Sequence, residues 1–248
     1  MGKQSAIEWT MATWNPWRGC KKVSPGCKNC YMFRDMSLRY GKDPKAIVRA
    51  APATFTSPLK WIEPQLIFTC SWSDWFIEQA DEWRDEAWEI IRTTPQHTYQ
   101  ILTKRADNIR DRLPHGWGDG YPNVWLGVSV ENQDYLYRAE ILSKIPAKVR
   151  FISYEPALGM VDFSSVLPDF QWLISGGESG FETQYIPRPA KQSWFLYVRD
   201  QCQTYGVAYF HKQNGGTRRV GGIFGGNTLD GNIYRGFPVP GFEKRGES

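Results

Sequence analysis

A (β/α) barrel, partial or complete and TIM-like, with parallel strands, is the fold class this α/β sequence predicts. Three observations predict it. Short apolar runs recur at roughly 25–35-residue spacing, the period of a βα unit. Segments of helical periodicity separate them. No dinucleotide glycine fingerprint follows the first strand, which disfavours the runner-up, an open doubly wound sheet. The 248 residues are expected to form one such domain, 1–248, with a cysteine-rich loop at 14–33 and a Gly/Arg-rich C-terminal segment at 214–248.

The elements follow in order. A short strand is expected inside "IEWTMATWN", and "PQLIFTCSW" is an apolar run bounded by Pro64 and the polar Ser73-Asp74. In "SDWFIEQADEWRDEAWEIIRTT", Trp75, Phe76, Ala80, Trp83, Ala87, Trp88 and Ile91 recur at helical spacing, with acids on the other face. "HTYQILT" reads as a strand, "KRADNIRDRLP" as a short helix ended by Pro114, "PNVWLGVSVEN" as a strand and "DYLYRAEILSKI" as a helix. "KVRFISYEP" and "FQWLISGGESG" are two further strands. "AKQSWFLYVRDQCQTYG" is a helix whose C-cap is Gly206, and "VAYFHKQ" is the last strand.

Each strand ends in polar residues. They are Ser71, Ser73 and Asp74; Thr103, Lys104 and Arg105; Ser129, Glu131 and Asn132; Ser153 and Glu155; Gly176, Gly177, Glu178 and Ser179; and His211, Lys212 and Gln213. In a barrel these C-terminal edges converge on one mouth, where active sites sit. The tail from Asn214 is rich in glycine and arginine. It reads as a solvent-exposed loop, or as amides with Arg218 and Arg219 that meet an anion.

No run of eighteen apolar residues exists, which excludes a membrane span, and no signal peptide pattern opens the chain. The expected location is the cytoplasm, where closely spaced thiols favour a metal or catalysis over disulfides. Net charge is +4, unevenly placed. Residues 1–60 hold 11 Lys/Arg against 3 Asp/Glu, a balance of +8. A basic N-terminal third suits an anionic partner such as nucleic acid, or is simply a solvated surface.

The chemistry is concentrated in "WNPWRGCKKVSPGCKNCYMF", where Cys20, Cys27 and Cys30 form C-x6-C-x2-C. Three readings compete: buried thiols, a zinc ion completed by Cys70 or a histidine, and an iron–sulfur cluster. Three ligands leave one iron of a 4Fe–4S cluster without a protein ligand. Radical chemistry on S-adenosylmethionine uses that open corner: the cofactor chelates it, and one electron breaks the sulfonium C–S bond. The loop follows the first strand, so it lies at the barrel mouth beside "TCSWSD". Asp74 is then the candidate for the cofactor's amino group, with Ser71 and Ser73 as further hydrogen bonders. Lys104 or Arg105 is the candidate for its carboxylate, and Glu131 or Glu155 for ribose hydroxyls or substrate. Lys104 and Glu155 are also the candidate catalytic residues. Cys202 reads as core, and His211 is the histidine nearest the mouth.

These residues resemble radical S-adenosylmethionine enzymes, which carry C-x3-C-x2-C in the loop after strand one of a partial barrel. An aromatic stands before their last cysteine. This chain departs from that pattern in its six-residue first gap and in Asn29 at the aromatic position, with Tyr31 just after. The superfamily's Gly-Gly-Glu follows strand two, whereas Gly176, Gly177 and Glu178 come far later and are read as a separate cofactor-site element. Along nearly its whole length the chain also resembles a phage and prophage family of three-Cys-motif, radical-SAM-like proteins. The blocks that carry this are "IEWTMATWNPWRGCKKVSPGCKNCY", "SWSDWF", "LTKR", "NVWLGVSVEN", "ISYEPALG", "ISGGESG" and "HKQNGG". Trp72 stands where that family's "SWSDWF" block is expected to have Met.

The resemblance implies a metal-binding iron–sulfur enzyme with S-adenosyl-L-methionine as cofactor. It also implies a reductase such as flavodoxin or ferredoxin as electron donor, and a three-Cys-motif partner protein. The phage setting and the basic third point to a nucleic-acid base as substrate, in DNA modification or repair, with Trp14, Trp17 and Trp72 as stacking platforms. The rival reading is a non-catalytic, zinc-binding, nucleic-acid-binding phage protein.

Overall fold

The computed structural model describes residues 5–180 and 186–239. Its centre is one sheet of seven parallel strands: β1 (Ala12–Trp14), β2 (Leu66–Thr69), β3 (Thr98–Thr103), β4 (Val124–Ser129), β5 (Val149–Tyr154), β6 (Trp172–Gly176) and β7 (Ala208–Gln213). Spatial order equals chain order, and every neighbouring pair is parallel. A doubly wound sheet requires a reversal of strand order, and there is none here. Among the described residues β1 and β7 form the two edges, so the sheet is an open half-barrel. The β7 edge is covered by residues 234–236, where His211 N–H donates to Tyr234 O and Gly236 N–H to Tyr209 O.

Side-chain alternation gives the sheet two different faces. On one face Ile67, Tyr99, Ile101, Leu126, Val128, Ile152 and Leu173 pack against the helices. These are α2 (Asp81–Thr93), α3 (Tyr137–Ser143) and α4 (Gln192–Tyr205), with α1 (Tyr31–Tyr40) lying beside the cysteine loop. On the other face Phe68, Trp125, Phe151, Trp172, Ile174 and Phe210 close around Trp9. Trp172 stacks on Phe237 with centroids 5.3 Å apart. This aromatic layer fills the concave side near the strands' N-terminal ends. Further along the same alternation come Ser129 and Ser153, paired across β4 and β5. The concave side is therefore apolar at its floor and polar at its C-terminal rim.

Three elements differ from the expectations. The helix expected from residue 75 is regular only from Asp81, after a 3-10 turn at Glu78–Ala80. The buried Arg84 guanidinium donates to Trp75 O (2.9 Å) and Ile77 O (2.5 Å), which holds that segment in a non-helical path. The helix expected around residues 104–114 is two 3-10 turns, Ala106–Asn108 and Arg110–Arg112. Helix α1 was not expected at all. Its apolar face is only Met32, Phe33 and Met36, too short a pattern to stand out beside the cysteines.

Gly127 in β4 makes room for the fully buried Phe151 ring, since a Cβ there would lie 2.3 Å from Phe151 Cζ. Gly127→Ala is expected to destabilise the fold by about 1–3 kcal/mol through overpacking. Urea denaturation with an unchanged m-value is the check.

Candidate active site

The cysteine loop leaves β1 at its C-terminal end and crosses the rim of the concave face. It has little regular structure: one ribbon of Trp17–Arg18 with Val48–Arg49, and a 3-10 turn at Pro25–Cys27. Its path is set by the ends of other strands. After β2, Ser73 Oγ donates to Gly19 O (2.6 Å), Trp72 O accepts from Gly19 N–H (3.0 Å), and Tyr31 Oη donates to Ser71 O. After β3, Arg105 donates to Lys21 O (2.9 Å) and reaches Cys20 Sγ (3.9 Å). After β4, Glu131 accepts from Ser24 Oγ (2.6 Å). After β6, Glu178 accepts from Asn29 Nδ2 (2.9 Å). Four strand ends thus grip the loop on both sides of its thiols.

These anchors are themselves braced. Asp74 is buried; it accepts from Thr103 Oγ1 (2.6 Å), Phe76 N–H (3.0 Å), Lys104 N–H (3.0 Å) and Arg105 Nη1 (3.3 Å). Glu131 is fully buried against Arg138 (2.9 Å), with Lys104 Nζ 3.5 Å away. Glu178 pairs with Arg188 through both carboxylate oxygens. Burial opposes its charge, but the Arg188 and Asn29 hydrogen bonds outweigh that and hold its carboxyl below the usual range.

Between the loop and the strand ends lies a cleft of about 690 Å³. Its floor includes Trp9, Phe68 and Leu102, and Cys27 and Cys30 are on its wall. Ser129, Ser153, Lys104, Glu155 and Lys212 supply polar groups. The hydroxyls of Ser129 and Ser153 make no hydrogen bond among the described residues. Glu155 Oε1 lies 3.1 Å from Lys212 Nζ. Two local features place that pair. A β-bulge matches Gly176 with Gln213 after Ser175 with His211, which leaves Lys212 as the extra residue. Gly176 lacks the Cβ that would stand 2.5 Å from Glu155 Oε1. Arg34, Arg39 and Arg219 add cations, so positive groups outnumber negative ones on the walls.

The thiols differ in setting. Burial pushes the Cys20 thiol up to about 12, with Asp74 adding to the rise and Arg105 opposing it. Burial also raises Cys30, against the amides of Met32 and Phe33 at the start of α1. A strong Lewis acid is what turns such buried thiols into thiolates. A single zinc ion draws its ligands into one tetrahedron at about 2.3 Å per sulfur. Among the described residues no three His, Cys, Asp or Glu side chains stand together closely enough to hold a metal ion of any kind. In number and ligand chemistry alone, three cysteines match the thiolate set of a cluster that leaves one iron open.

The expected site residues separate into two groups. Ser71, Lys104, Glu155, Gly177 and Glu178 line the cleft with Cys27 and Cys30, and Gly176 sits directly beside Glu155. Ser73, Arg105 and Glu131 instead bond to the loop, and the Asp74 carboxylate is saturated by its neighbours and braces Arg105. Cys20 lies behind the wall, packed with Met32, Phe33 and Met36. Trp14 and Trp17 are fully buried core and offer no stacking surface, whereas Trp72 is on the wall. Cys70 and Cys202 are buried in the main core.

His211 faces outward from the sheet, bonded to Ser175 (2.8 Å) and Asn214 (3.2 Å), and is not in the cleft. The tail folds into two ribbons, Arg219–Val220 with Ile223–Phe224 and Thr228–Leu229 with Asn232–Ile233. It brings Arg219 and Phe224 to the wall; residues 240–248 of the expected tail lie outside the described ones. Sequence reasoning did not single out Arg34 or Arg39. Their spacing of four and nine residues from Cys30 becomes informative only once α1 is known.

Residues 4–238 match a family described as "Protein of unknown function (DUF5131)". The chain belongs to this family. Its matched span contains the whole half-barrel, the three loop cysteines and every anchor named above. No curated protein matches the chain, and no solved structure does.

Glu131→Ala strands Arg138 in the core and releases Ser24. The expected loss is about 3–5 kcal/mol by urea denaturation, with faster iodoacetamide labelling of Cys27 in the folded state. His211 gives a pH effect. Burial lowers its pKa from 6.5 to about 4, so the folded chain keeps it neutral. Its contribution is complete above pH 6.5, declines as pH falls towards 4, and is level below that. The expected span is roughly 3 kcal/mol. His211→Gln is expected to flatten that part of the stability–pH curve.

Proposed function

We propose that this chain is a radical S-adenosylmethionine enzyme on a partial TIM-like barrel, with a 4Fe–4S cluster held by Cys20, Cys27 and Cys30. The observation that carries the reading is the presence of Cys27 and Cys30 on the wall of a large cleft. That cleft lies at the C-terminal rim of a parallel half-barrel, and the loop bearing the thiols is held at four points. When bound, the cluster and S-adenosylmethionine supply a one-electron reduction and, through it, removal of hydrogen from an unreactive carbon.

The chain's own residues do the rest. The anchored loop presents the thiols in one arrangement, which limits reorganisation. Trp9, Phe68 and Leu102 keep the floor dry, where water would intercept a reactive species. Lys104 is placed to meet the cofactor's carboxylate. Glu155, balanced by Lys212, is placed to meet hydroxyl or ammonium groups, and Ser129 and Ser153 offer free hydroxyls. Asp74 takes a different part from the one expected: it positions Arg105 and, through it, the Cys20 segment. The excess of cations fits an anionic substrate. A flavodoxin or ferredoxin in the cytoplasm would supply the electron.

Anaerobic reconstitution with iron and sulfide is the test. The expected result is a brown protein absorbing near about 400 nm that forms 5′-deoxyadenosine from S-adenosylmethionine when reduced. Cys30→Ala is expected to lose both properties. Glu155→Gln is expected to keep the absorbance and lose at least about tenfold in turnover. Stoichiometric zinc with no iron uptake would overturn the proposal in favour of a zinc-bearing binding protein.

A further inference from the structure

A second cavity of about 280 Å³ adjoins the cleft, lined by Thr13, Asn15, Arg18, Met36, Tyr40, Lys42 and Trp72. Thr13 and Trp72 line both spaces, so Trp72 stands between them. Its position is fixed: Asn15 Oδ1 accepts from Trp72 N–H (2.8 Å), and Tyr40 meets the indole edge-on with centroids 5.6 Å apart. Arg18 is half-buried and Lys42 exposed. Neither side chain has an ion-pair or hydrogen-bond partner among the described residues. Other half-buried arginines have partners: Arg34 pairs with Asp35, Arg49 with Glu86 and Arg235 with Glu8, and Arg150 donates to Ile145 O. A half-buried guanidinium left alone in a polar pocket is a place for an anion from outside.

The order of groups carries the inference. Two unpaired cations come first, then a fixed aromatic partition, then a larger cleft with Ser129, Ser153 and Glu155 beside the thiols. Flat ring and anion alternate in that way along a polynucleotide. The surrounding charge agrees, since Arg39 lines the cleft and residues 1–60 carry a balance of +8. We infer that the substrate is single-stranded nucleic acid, with one base in the cleft, a neighbouring base on Trp72 and a backbone phosphate on Arg18 and Lys42. This takes the cleft as the reaction site proposed above, but the binding itself requires no cluster.

The probe is a fluorescein-labelled single-stranded oligonucleotide, with fluorescence anisotropy measured across a salt series on the full chain. The variants are R18Q/K42Q, Trp72→Ala and, as control, K148Q. Lys148 is exposed just before β5, at the N-terminal end of that strand and so away from the C-terminal rim. The wild type is expected to bind single strands more tightly than the matching duplex or a mononucleotide. R18Q/K42Q is expected to weaken binding at least about tenfold and to lower the slope of log K against log salt by about 0.7, for the one phosphate the two cations share. Trp72→Ala is expected to lose roughly 5- to 150-fold. K148Q is expected to match the wild type, and circular dichroism checks that each variant is folded.

The inference is overturned if R18Q/K42Q binds as tightly as K148Q, if duplex or an acidic peptide competes equally, or if no oligonucleotide binds. Nucleic-acid binding without 5′-deoxyadenosine formation by the reconstituted enzyme sinks the radical reading and leaves this one standing. The converse result, 5′-deoxyadenosine formation without oligonucleotide binding, sinks this one alone.

Discussion

The grip of charged strand ends on the cysteine loop is the constraint on which the rest of this structure depends. A loop with little regular structure has no internal ladder to fix its thiols, and ordering it costs roughly 1–2 kcal/mol of backbone entropy per residue. The compensation comes from outside. Asp74 and Arg105 hold the segment of Cys20, Glu131 holds Ser24 ahead of Cys27, and Glu178 holds Asn29 between Cys27 and Cys30. Each anchor rises from a different strand. The spacing of the thiols is therefore tied to the spacing of the hydrogen-bonded sheet.

Charged side chains suit this task better than apolar ones. An apolar contact tolerates sliding, whereas a buried carboxylate is stable only when its donors stand in place. Asp74 has four donors, and Glu131 has Arg138, Ser24 and Lys104 around it. A shifted loop would leave such groups buried and unpaired. The cost of that, more than any net gain from the ion pairs, selects one loop conformation.

The concave face divides the work in another way. Its floor is aromatic and closed by Trp9, Trp125, Phe151 and Trp172; its rim is hydroxylic and charged. In a full barrel, side chains from all round fill the interior. In a half-barrel the open side leaves room above the floor, and the cysteine loop, α1 and the tail ribbons border that space. The tail contributes Arg219 and Phe224, so the early residues Ile7 and Trp9 and the late ribbon share one cleft.

Much of this was legible in the sequence. Six apolar runs with polar C-terminal ends, and a short strand before them, foretold seven parallel strands with a polar rim, because strand periodicity and strand termination are local properties. C-x6-C-x2-C after the first strand located the thiols at that rim for the same reason. What only the tertiary structure decided is the direction in which each polar residue turns. Asp74 and Glu131 look no different from Glu155 in one dimension, yet Asp74 turns to the end of β3, Glu131 to the loop and Glu155 to the cleft. His211 and Lys212 point to opposite faces by strand alternation, but it is a bulge in β7 that sets Lys212 beside Glu155. Trp17 and Trp72 flank the same loop, and one is core while the other is wall. Sequence by itself set which residues reach the rim; their partners there depend on distant contacts, such as Asn29 with Glu178 across 149 positions, and no local pattern encodes those.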